Sequence, residues 1–206
     1  MRESMGKATA DPEDRQKDDV AIRELTPEIL KDFLDFFDHD AFADNPAWSG
    51  CYCMYYQFTG IDEEWDKRSA SENREAMSKL IREGKAHGLL AYVDGRSVGW
   101  CHAAPRTTIP RLKLYQQFRV EEAERIGSIV CFVIAKPYRG RGIARRLLDA
   151  ACQTFIRQGL AFAEAYPLKH AESDADNFPG PLEMYLDAGF SVFRELERFV
   201  IVREAL

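Results

Sequence analysis

Residues 136–148 read KPYRGRGIARRLL, and this stretch decides the fold. It places three cations and two glycines directly ahead of an apolar pattern with helical spacing. Like charges this close repel one another, and glycine weakens the start of a helix. The arrangement therefore indicates that a negatively charged group binds at this turn.

The turn has the chemistry of a phosphate cradle. The first turn of a helix carries unpaired N–H groups and about half a positive charge, and glycines let a ligand come close to the backbone. The amides of residues 140–144 would face the anion, with added charge from Arg139, Arg141 and Arg145. The stretch lacks the Gly-Lys-Ser/Thr ending of a Walker A loop, and Arg145 stands where a dinucleotide fingerprint needs a third glycine. From spacing alone, a tight turn into a surface helix with solvated arginines stays an alternative.

The segments around the turn alternate between strands and helices. Before it, the continuous apolar run at 129–135 predicts a central strand covered on both faces. After it, the apolar spacing predicts a helix as far as Gly159, followed by a strand at 160–166, a short helix and two final strands at 190–196 and 198–202. Upstream we expect a strand at 20–25, a helix capped by Thr26, a helix over 69–83 and a hairpin around Asp94-Gly95. Residues 107–124 fit either a short helix or an excursion between strands. This order predicts one α/β domain with a mixed sheet.

Composition narrows the function classes. The net charge of −6 over 206 residues argues against nucleic acid as the main partner. Five cysteines without metal-ligand spacing, three of them in apolar runs, are typical of free thiols in a reducing compartment. No apolar run approaches a membrane span, so we expect a soluble, cytoplasmic protein that uses no metal. Residues 1–19 are charged and predicted to be a disordered tail, which leaves 20–206 as the folded domain.

Three segments together resemble the GNAT superfamily of acyl-CoA-dependent N-acyltransferases. The R/Q-x-x-G-x-G/A signature of that superfamily is matched at Arg139, Gly142 and Ala144, and VGWCHAAPR and MYLDAGF match two further segments in order. The resemblance runs from about Val20 to the C-terminus. It implies a single-domain GNAT-like fold, with a mixed twisted sheet of about six to seven strands flanked by helices. The chain departs from the common pattern where Pro137 directly precedes the turn's aromatic residue, and in a long loop over 168–180.

The same resemblance implies acetyl-CoA as the co-substrate. The fourth strand would bulge and pair with the pantetheine arm, and the turn would hold the diphosphate. The residues that carry these roles over are Phe132, Val133, Ile134, Arg139, Gly140, Arg141, Gly142, Ile143, Ala144 and Arg145. A strand amide near Val133 or Ile134 would stabilise the oxyanion.

The implied activity is N-acetyl transfer by direct attack of a primary amine in a ternary complex. Tyr185 matches the position of the general acid that protonates the leaving thiolate, although a buried core tyrosine is the alternative. Glu164 is our candidate base, against a carboxylate that is simply exposed or paired. His102 is a rival base, and a chain of waters would need neither residue.

The acceptor is the least determined part. The aromatic loop over 48–58 borders the acceptor site in this family and would either enclose an amine or pack onto the sheet. Within it, Cys51 and Cys53 are either ordinary buried thiols or redox or acyl-carrying groups. The acceptor is a small-molecule amine or a protein amine, and a homodimer is compatible with the sequence. Two other functions stay open: a non-catalytic acyl-CoA-binding sensor or partner-binding module, and a fold that binds the phosphates of another nucleotide.

Overall fold

The computed structural model describes residues 19–173 and 175–206. Its strands form one mixed sheet. In this part of the chain the sheet has seven strands in the order β1-β2-β3-β4-β5-β7-β6. Their bounds are β1 Ala21–Glu24, β2 Leu89–Val93, β3 Arg96–Pro105, β4 Ile126–Ile134, β5 Phe162–Ala165, β6 Ser191–Glu195 and β7 Val200–Ala205. The predicted mixed α/β sheet is confirmed, while the last strand begins and ends later than the predicted 198–202. The predicted disordered tail lies outside the described residues, apart from Asp19.

Helices cover both faces of the sheet. The helices of the described chain are α1 Leu30–His39, α2 Asp62–Trp65, α3 Ala70–Arg82, α4 Arg111–Leu114, α5 Ile143–Arg157 and α6 Leu182–Leu186. The side chains of α1 and α3 pack on one face around Trp100, and α5 packs on the other face around Phe132. Because β4 is covered on both sides, its apolar residues run continuously instead of alternating, as its sequence predicts.

Local sequence explains where the helices begin. Ser69 and Glu72 form a reciprocal capping box at the start of α3, which satisfies two backbone N–H groups. The prediction that Thr26 caps the first helix is wrong in detail. Its side chain makes no capping hydrogen bond, and a single tight turn over Pro27–Ile29 precedes α1. The ambiguous segment at 107–124 contains α4 and several isolated turns, so it is an excursion that includes a short helix.

The centre of the sheet opens where β4 and β5 stop pairing. These two strands are parallel, and their pairing ends at Ile129 opposite Ala165. Val130 is an extra residue in β4, because His102 and Ala103 of β3 face Cys131 and Ile129. A bulge of this kind bends its strand and increases the local twist. Beyond the bulge, β4 continues to Ile134 without a strand partner on its β5 side.

Candidate functional site

A cavity of about 1560 Å³ lies against the open edge of β4. One wall is formed by Cys131, Phe132, Val133 and Ile134, and the floor includes the turn that precedes α5. The other walls come from the aromatic loop after α1 and from the segment before α6. The fold therefore brings the predicted strand and the predicted anion-binding turn into one cavity.

The open edge of β4 presents backbone groups to this cavity. The N–H of Phe132 donates to the carbonyl oxygen of Phe178 at 2.6 Å, so that amide points away from β3. Amides alternate in direction along a strand, which turns the N–H of Ile134 to the same side and that of Val133 toward β3. The carbonyl of Ile134 accepts a hydrogen bond from Nε of Arg139 at 3.0 Å. Of the two amides predicted for an oxyanion, Ile134 has the orientation that faces the cavity.

The glycine-arginine turn is open toward solvent at its two glycines. Gly140 and Gly142 have φ values of +71° and +76°, and a Cβ built at either position meets no atom within 4 Å. Gly142 is the N-cap of α5 and supplies no side-chain cap, so the first amides of α5 keep their capacity to bind an anion. A residue other than glycine would be strained here and would fill the space above these amides. The backbone therefore fits a diphosphate.

The side chains of the turn serve mainly to hold it. Arg139 forms an ion pair with Asp44, with 2.7 Å between Nη1 and Oδ2. Arg141 lies over the ring of Tyr138 at 5.2 Å, and Arg145 pairs with Asp149 on the next helical turn. Among the predicted residues of the turn, Arg139, Gly140 and Ala144 line the cavity. The cavity is not lined by the other predicted residues of the turn: Arg141, Gly142, Ile143 and Arg145. The side chain of Ile143, the first residue of α5, is buried in the core between α5 and the sheet.

Tyr185 lies one layer behind the cavity wall. Its side chain is fully buried, its ring packs edge-on against Phe190 at 5.3 Å, and its hydroxyl donates to the carbonyl of Pro179. Burial raises the pKa of Tyr185 well above its ordinary value. Gly180, which does line the cavity, is so close that an added Cβ would lie 3.0 Å from the Tyr185 hydroxyl. The phenol therefore lies close behind the backbone of Gly180, which forms part of the cavity wall.

Glu164 lies in a closed ion-pair cluster. Its carboxylate is fully buried, with 2.5 Å from Oε1 to Nη1 of Arg106 and 2.5 Å from Oε2 to Nη2 of Arg203. The hydroxyl of Tyr166 donates to Oε1 at 2.6 Å. Glu164 does not line the cavity. Sequence reasoning missed both arginines, although Arg203 sits directly opposite Glu164 in the β5–β7 register.

The aromatic loop both packs and lines the cavity. Tyr52 stacks on Phe37 at 5.9 Å in the core, whereas Trp48, Tyr55 and Tyr56 face the cavity. The packing interpretation of this loop therefore holds for Tyr52, and enclosure of an amine by the cavity-facing rings stays a prediction. A cation that sequence reasoning missed lies at its centre: Arg111 is buried 4.3 Å from the ring centroid of Tyr55 and pairs with Asp62.

A second missed cluster joins this loop to β3. Sγ of Cys53 lies 3.2 Å from Nδ1 of His102, and Nε2 of His102 lies 3.2 Å from Nε2 of Gln57. Cys53 lines the cavity, and its side chain contacts that of Cys131 on β4. The nearness of Cys51 and Cys53 in the sequence drew attention to these thiols. No local signal identifies His102 or Gln57 as their partners.

No metal site and no membrane span accompany the cavity in the described residues. Across 19–173 and 175–206, no group of three or more histidine, cysteine, aspartate or glutamate side chains could hold a metal ion. Over the same ranges, no helix is both long and apolar enough to cross a bilayer.

Comparison with known proteins identifies the architecture. The sequence profile of the Acetyltransferase (GNAT) family matches residues 44–177. The PaiA N-acetyltransferase of Thermoplasma acidophilum, solved in complex with coenzyme A, superposes with a TM-score of 0.55 at 15% identity, covering 91% of this chain and 99% of that one. The GNAT domain of S. lividans PAT superposes with a TM-score of 0.56 at 15% identity, covering 90% and 89%. A GNAT-family acetyltransferase from Streptococcus pneumoniae gives 0.53 at 16% identity, covering 91% and 99%. Among curated proteins, none matches the chain.

Proposed function

Because the chain belongs to the GNAT acetyltransferase family, we propose that it transfers an acetyl group from acetyl-CoA to a primary amine. The observation that carries the proposal is the continuity of one cavity along the unpaired edge of β4 and the glycine turn of α5. An extended pantetheine arm needs a strand edge, and a diphosphate needs unpaired helix amides. This cavity has the helix amides at one end and the strand edge next to them, which matches the order of diphosphate and pantetheine arm in coenzyme A.

Each part of the donor has a group of residues suited to it. The amides of Gly140, Gly142 and Ala144 suit the diphosphate. The backbone of Phe132 suits the pantetheine arm once its hydrogen bond to Phe178 is displaced. Bound in this way, the donor places its thioester carbonyl along the same edge of β4. The N–H of Ile134 would then stabilise the negative charge that develops on the carbonyl oxygen.

Tyr185 is the proposed proton donor to the departing thiolate. A phenol whose pKa is raised by burial stays protonated at neutral pH, as an acid in this role must. The hydroxyl is hydrogen-bonded to the carbonyl of Pro179 and lies close behind Gly180, so the proposed role requires this backbone to move and give the hydroxyl access to the cavity. Glu164 as the base remains a prediction, and its two ion pairs favour a structural role.

The acceptor enters from the side of the aromatic loop. The cavity is large enough to hold both a pantetheine arm and an amine, so direct attack in a ternary complex, as the sequence predicts, is sterically open. Tyr56, Trp65 and Asp66 line this side, a combination of rings and a carboxylate that suits a cation, whereas Tyr55 and Asp62 already contact Arg111. Small-molecule amines and protein amines both fit this description.

Donor binding is tested with a matched pair of glycine variants. At a hundredfold excess over Kd, acetyl-CoA should stabilise the protein by about 2.7 kcal/mol and raise Tm by roughly 5–10 °C. Gly142→Val should abolish this rise, because its side chain fills the space above the amides. Gly159→Val is the control, since Gly159 has a φ of +72°, equally open surroundings and a position just beyond the other end of α5. The proposal fails if acetyl-CoA leaves Tm of the unmodified chain unchanged.

A non-catalytic acyl-CoA sensor is the alternative, and Tyr185→Phe separates it from the enzyme. An enzyme should lose roughly a hundredfold or more in turnover with an unchanged Kd for acetyl-CoA. The assay is release of free coenzyme A thiol across a panel of primary amines. Absence of turnover by the unmodified chain with every amine, despite donor binding, would favour the sensor.

A further inference from the structure

The turn that carries Cys53 is held in an unusual backbone conformation. Tyr52 and Cys53 have φ values of +46° and +53°, in the left-handed region that residues with a Cβ seldom adopt. The Tyr52 hydroxyl donates to Asp38 at 2.7 Å, and Asp38 is in turn paired with Arg74 at 2.8 Å. Two successive left-handed residues turn the Cys53 side chain inward, so that it is 3% exposed and faces the cavity. This backbone persists because the surrounding contacts hold it.

Cys53, His102 and Gln57 have the arrangement of a nucleophile, its base and the group that orients the base. Nδ1 of His102 lies 3.2 Å from Sγ of Cys53, and Nε2 lies 3.2 Å from the side-chain amide of Gln57. That amide donates to Nε2 of a neutral ring, and when turned over it accepts from a protonated one. In both cases Nδ1 is directed at the sulfur. A histidine 1% exposed on a central strand has few other ways to satisfy both nitrogens.

The electrostatic surroundings single out this thiol. Burial opposes ionisation of Cys53, but the hydrogen bond with Cys131, the charge of His102 and its hydrogen bond together lower the pKa of Cys53 well below the ordinary value. The buried indole N–H of Trp100, which has no conventional acceptor among the described residues, also lowers that pKa.

Several neighbouring groups have pKa values shifted in the direction that favours their neutral forms. Burial, followed by the charge of Cys53, raises the pKa of Cys51 to about 12, and burial is also the main cause that raises those of Cys101 and Tyr56. The pKa of Cys131 is raised chiefly by its hydrogen bond with Cys53. His87, beyond the ring of His102, has its pKa lowered by burial. Among Cys51, Cys53, Cys101 and Cys131, Cys53 is the thiol whose pKa is lowered, and its sulfur lies 3.2 Å from Nδ1 of His102.

The thiol also lies where an acyl group would arrive. Cys53 packs against Cys131, the residue directly before Phe132, whose N–H marks the open edge of β4. Cys53, Cys131 and Phe132 line the same cavity. We propose that Cys53 is a covalent acyl acceptor in this cavity, with His102 as its acid and base and Gln57 as a positioning residue. This inference rests on the proposed function, because it uses the same donor, and it replaces one direct attack with two successive ones.

The two steps balance without any further reactant. Attack by the Cys53 thiolate forms the Sγ–C bond and breaks the bond between the carbonyl carbon and the sulfur of coenzyme A. On this route the coenzyme A sulfur takes its proton from His102, which replaces Tyr185 as the acid of direct attack. In the second step the amine nitrogen attacks the carbonyl carbon of the Cys53 thioester, the N–C bond forms and Sγ leaves as thiolate. The proton that the amine loses returns to His102. The resting pair is thereby restored, as in other cysteine–histidine acyl transfer.

A half-reaction tests this step without knowledge of the acceptor. The full chain, kept reduced, is incubated with acetyl-CoA and isotopically labelled coenzyme A in the absence of amine. Covalent transfer predicts that the label enters acetyl-CoA, and that intact mass after acid quenching shows one acetyl group, labile to hydroxylamine and located on Cys53. Cys53→Ala and Cys53→Ser should lower the exchange at least about a hundredfold. The control Cys152→Ser, a thiol on α5 remote from the cluster, should stay within about twofold.

The outcomes distinguish this inference from the proposed function. The rise in Tm with acetyl-CoA is measured for every variant, and its retention in Cys53→Ala shows that fold and donor site survive. Donor binding by the unmodified chain without exchange or adduct overturns the covalent route and leaves direct attack standing. An adduct on another residue, or a Cys53–Cys131 disulfide as the only modification of the thiol, also overturns it. Failure to bind acetyl-CoA overturns both proposals.

Gln57 is tested by a pH profile, which a purely structural role would not move. Gln57→Met keeps the length of the side chain but removes the group that orients His102. The pH midpoint of the exchange reaction should move upward, because a misdirected ring stabilises the thiolate less well. An unchanged midpoint would contradict the positioning role.

Discussion

At the scale of single residues, Glu164 was predicted as a catalytic base, but its buried ion pairs indicate that it stabilises the fold. A general base must reach the amine and give up a proton readily. Glu164 is buried between Arg106 and Arg203, and the backbone of Phe118 also accepts a hydrogen bond from Arg106. Both oxygens of Glu164 accept hydrogen bonds from guanidinium groups, one of them also from the Tyr166 hydroxyl, and Glu164 does not line the cavity that an amine would enter. Its removal would leave the charge of Arg106 buried without compensation.

Glu164→Gln should therefore lower stability by about 3 kcal/mol, because one side of a buried ion-pair cluster is lost. Urea unfolding at neutral pH gives the free energy of unfolding. Glu195→Gln is the matched control, since its ion pair with Lys169 lies on the surface and its loss should cost below about 1 kcal/mol. A Glu164→Gln protein of normal stability that has lost its amine turnover would instead support the role of base.

At the scale of elements, the open edge of β4 is covered by the chain itself. The carbonyl of Phe178 accepts the Phe132 N–H, and the Phe178 ring packs against Trp48 at 5.7 Å. The segment before α6 therefore occupies the strand position that we assign to the pantetheine arm. Donor binding has to displace this contact, which makes the contact a competitor.

Phe178→Ala should tighten acetyl-CoA binding roughly twofold to tenfold, the equivalent of one aromatic pair of about 0.5–1.5 kcal/mol. Isothermal titration calorimetry measures Kd. Trp48→Ala should act in the same direction, and the double variant should add little to either single change because both remove one contact. Ile156→Ala, an exposed side chain near the end of α5, is the control. A weakened or unchanged Kd in Phe178→Ala would show that the segment does not compete with the donor.

The turn that bears Cys53 depends on a second element contact, and this contact is sensitive to acid. The hydrogen bond from Arg74 lowers the pKa of Asp38. A lowered pKa stabilises the fold fully above the unfolded value of about 3.9, and the stabilisation is lost as pH falls through the folded value. Asp38→Asn should thus cost about 1 kcal/mol at neutral pH and progressively less below about pH 4. Urea unfolding across this pH range is the measurement, with the exposed Asp35→Asn as control. A pH-independent difference would contradict this assignment.

At the scale of the whole molecule, the helix α5 packs very closely against the sheet. Gly127 lies at the start of β4, and a Cβ there would come within 2.3–2.5 Å of ring atoms of Phe155 on α5. The absent side chain is what lets α5 approach the sheet. The position of α5 in turn sets the height of its N-terminal turn above the cavity.

Gly127→Ala should destabilise the protein by about 3 kcal/mol through overpacking. In the double variant with Phe155→Leu, the loss should be smaller than the sum of the two single losses by about 1 kcal/mol or more, because the smaller side chain makes room. Chemical denaturation gives all three values. Gly159→Ala combines a left-handed φ with open surroundings, so it gives the cost of backbone strain without steric overlap; Gly127 has no left-handed φ, so overlap is the effect expected there. Simple additivity of Gly127→Ala and Phe155→Leu would rule out the steric explanation.

The features predicted correctly from sequence are those that depend on near neighbours. Helical spacing, the Asp94-Gly95 hairpin and the glycine-arginine turn all lie within segments of a few residues, where periodicity and turn chemistry act directly. The bulge in β4 came instead from the family resemblance. The predicted cap at Thr26 is wrong because the tight turn at Pro27–Ile29 overrides the local preference of threonine for a helix start.

By itself, then, the sequence determined the order of elements, the mixed sheet and the glycine-arginine turn at the start of α5. Only the tertiary structure decided which side chains meet: Cys53 and His102 are 49 residues apart, and Glu164 and Arg203 are 39 apart. Such partners are brought together by strand register and by the path of the loops, and their pKa values depend on burial that no local pattern encodes. For this reason the glycine turn can be recognised within thirteen residues of sequence, whereas the pairing of Cys53 with His102 cannot be recognised from sequence.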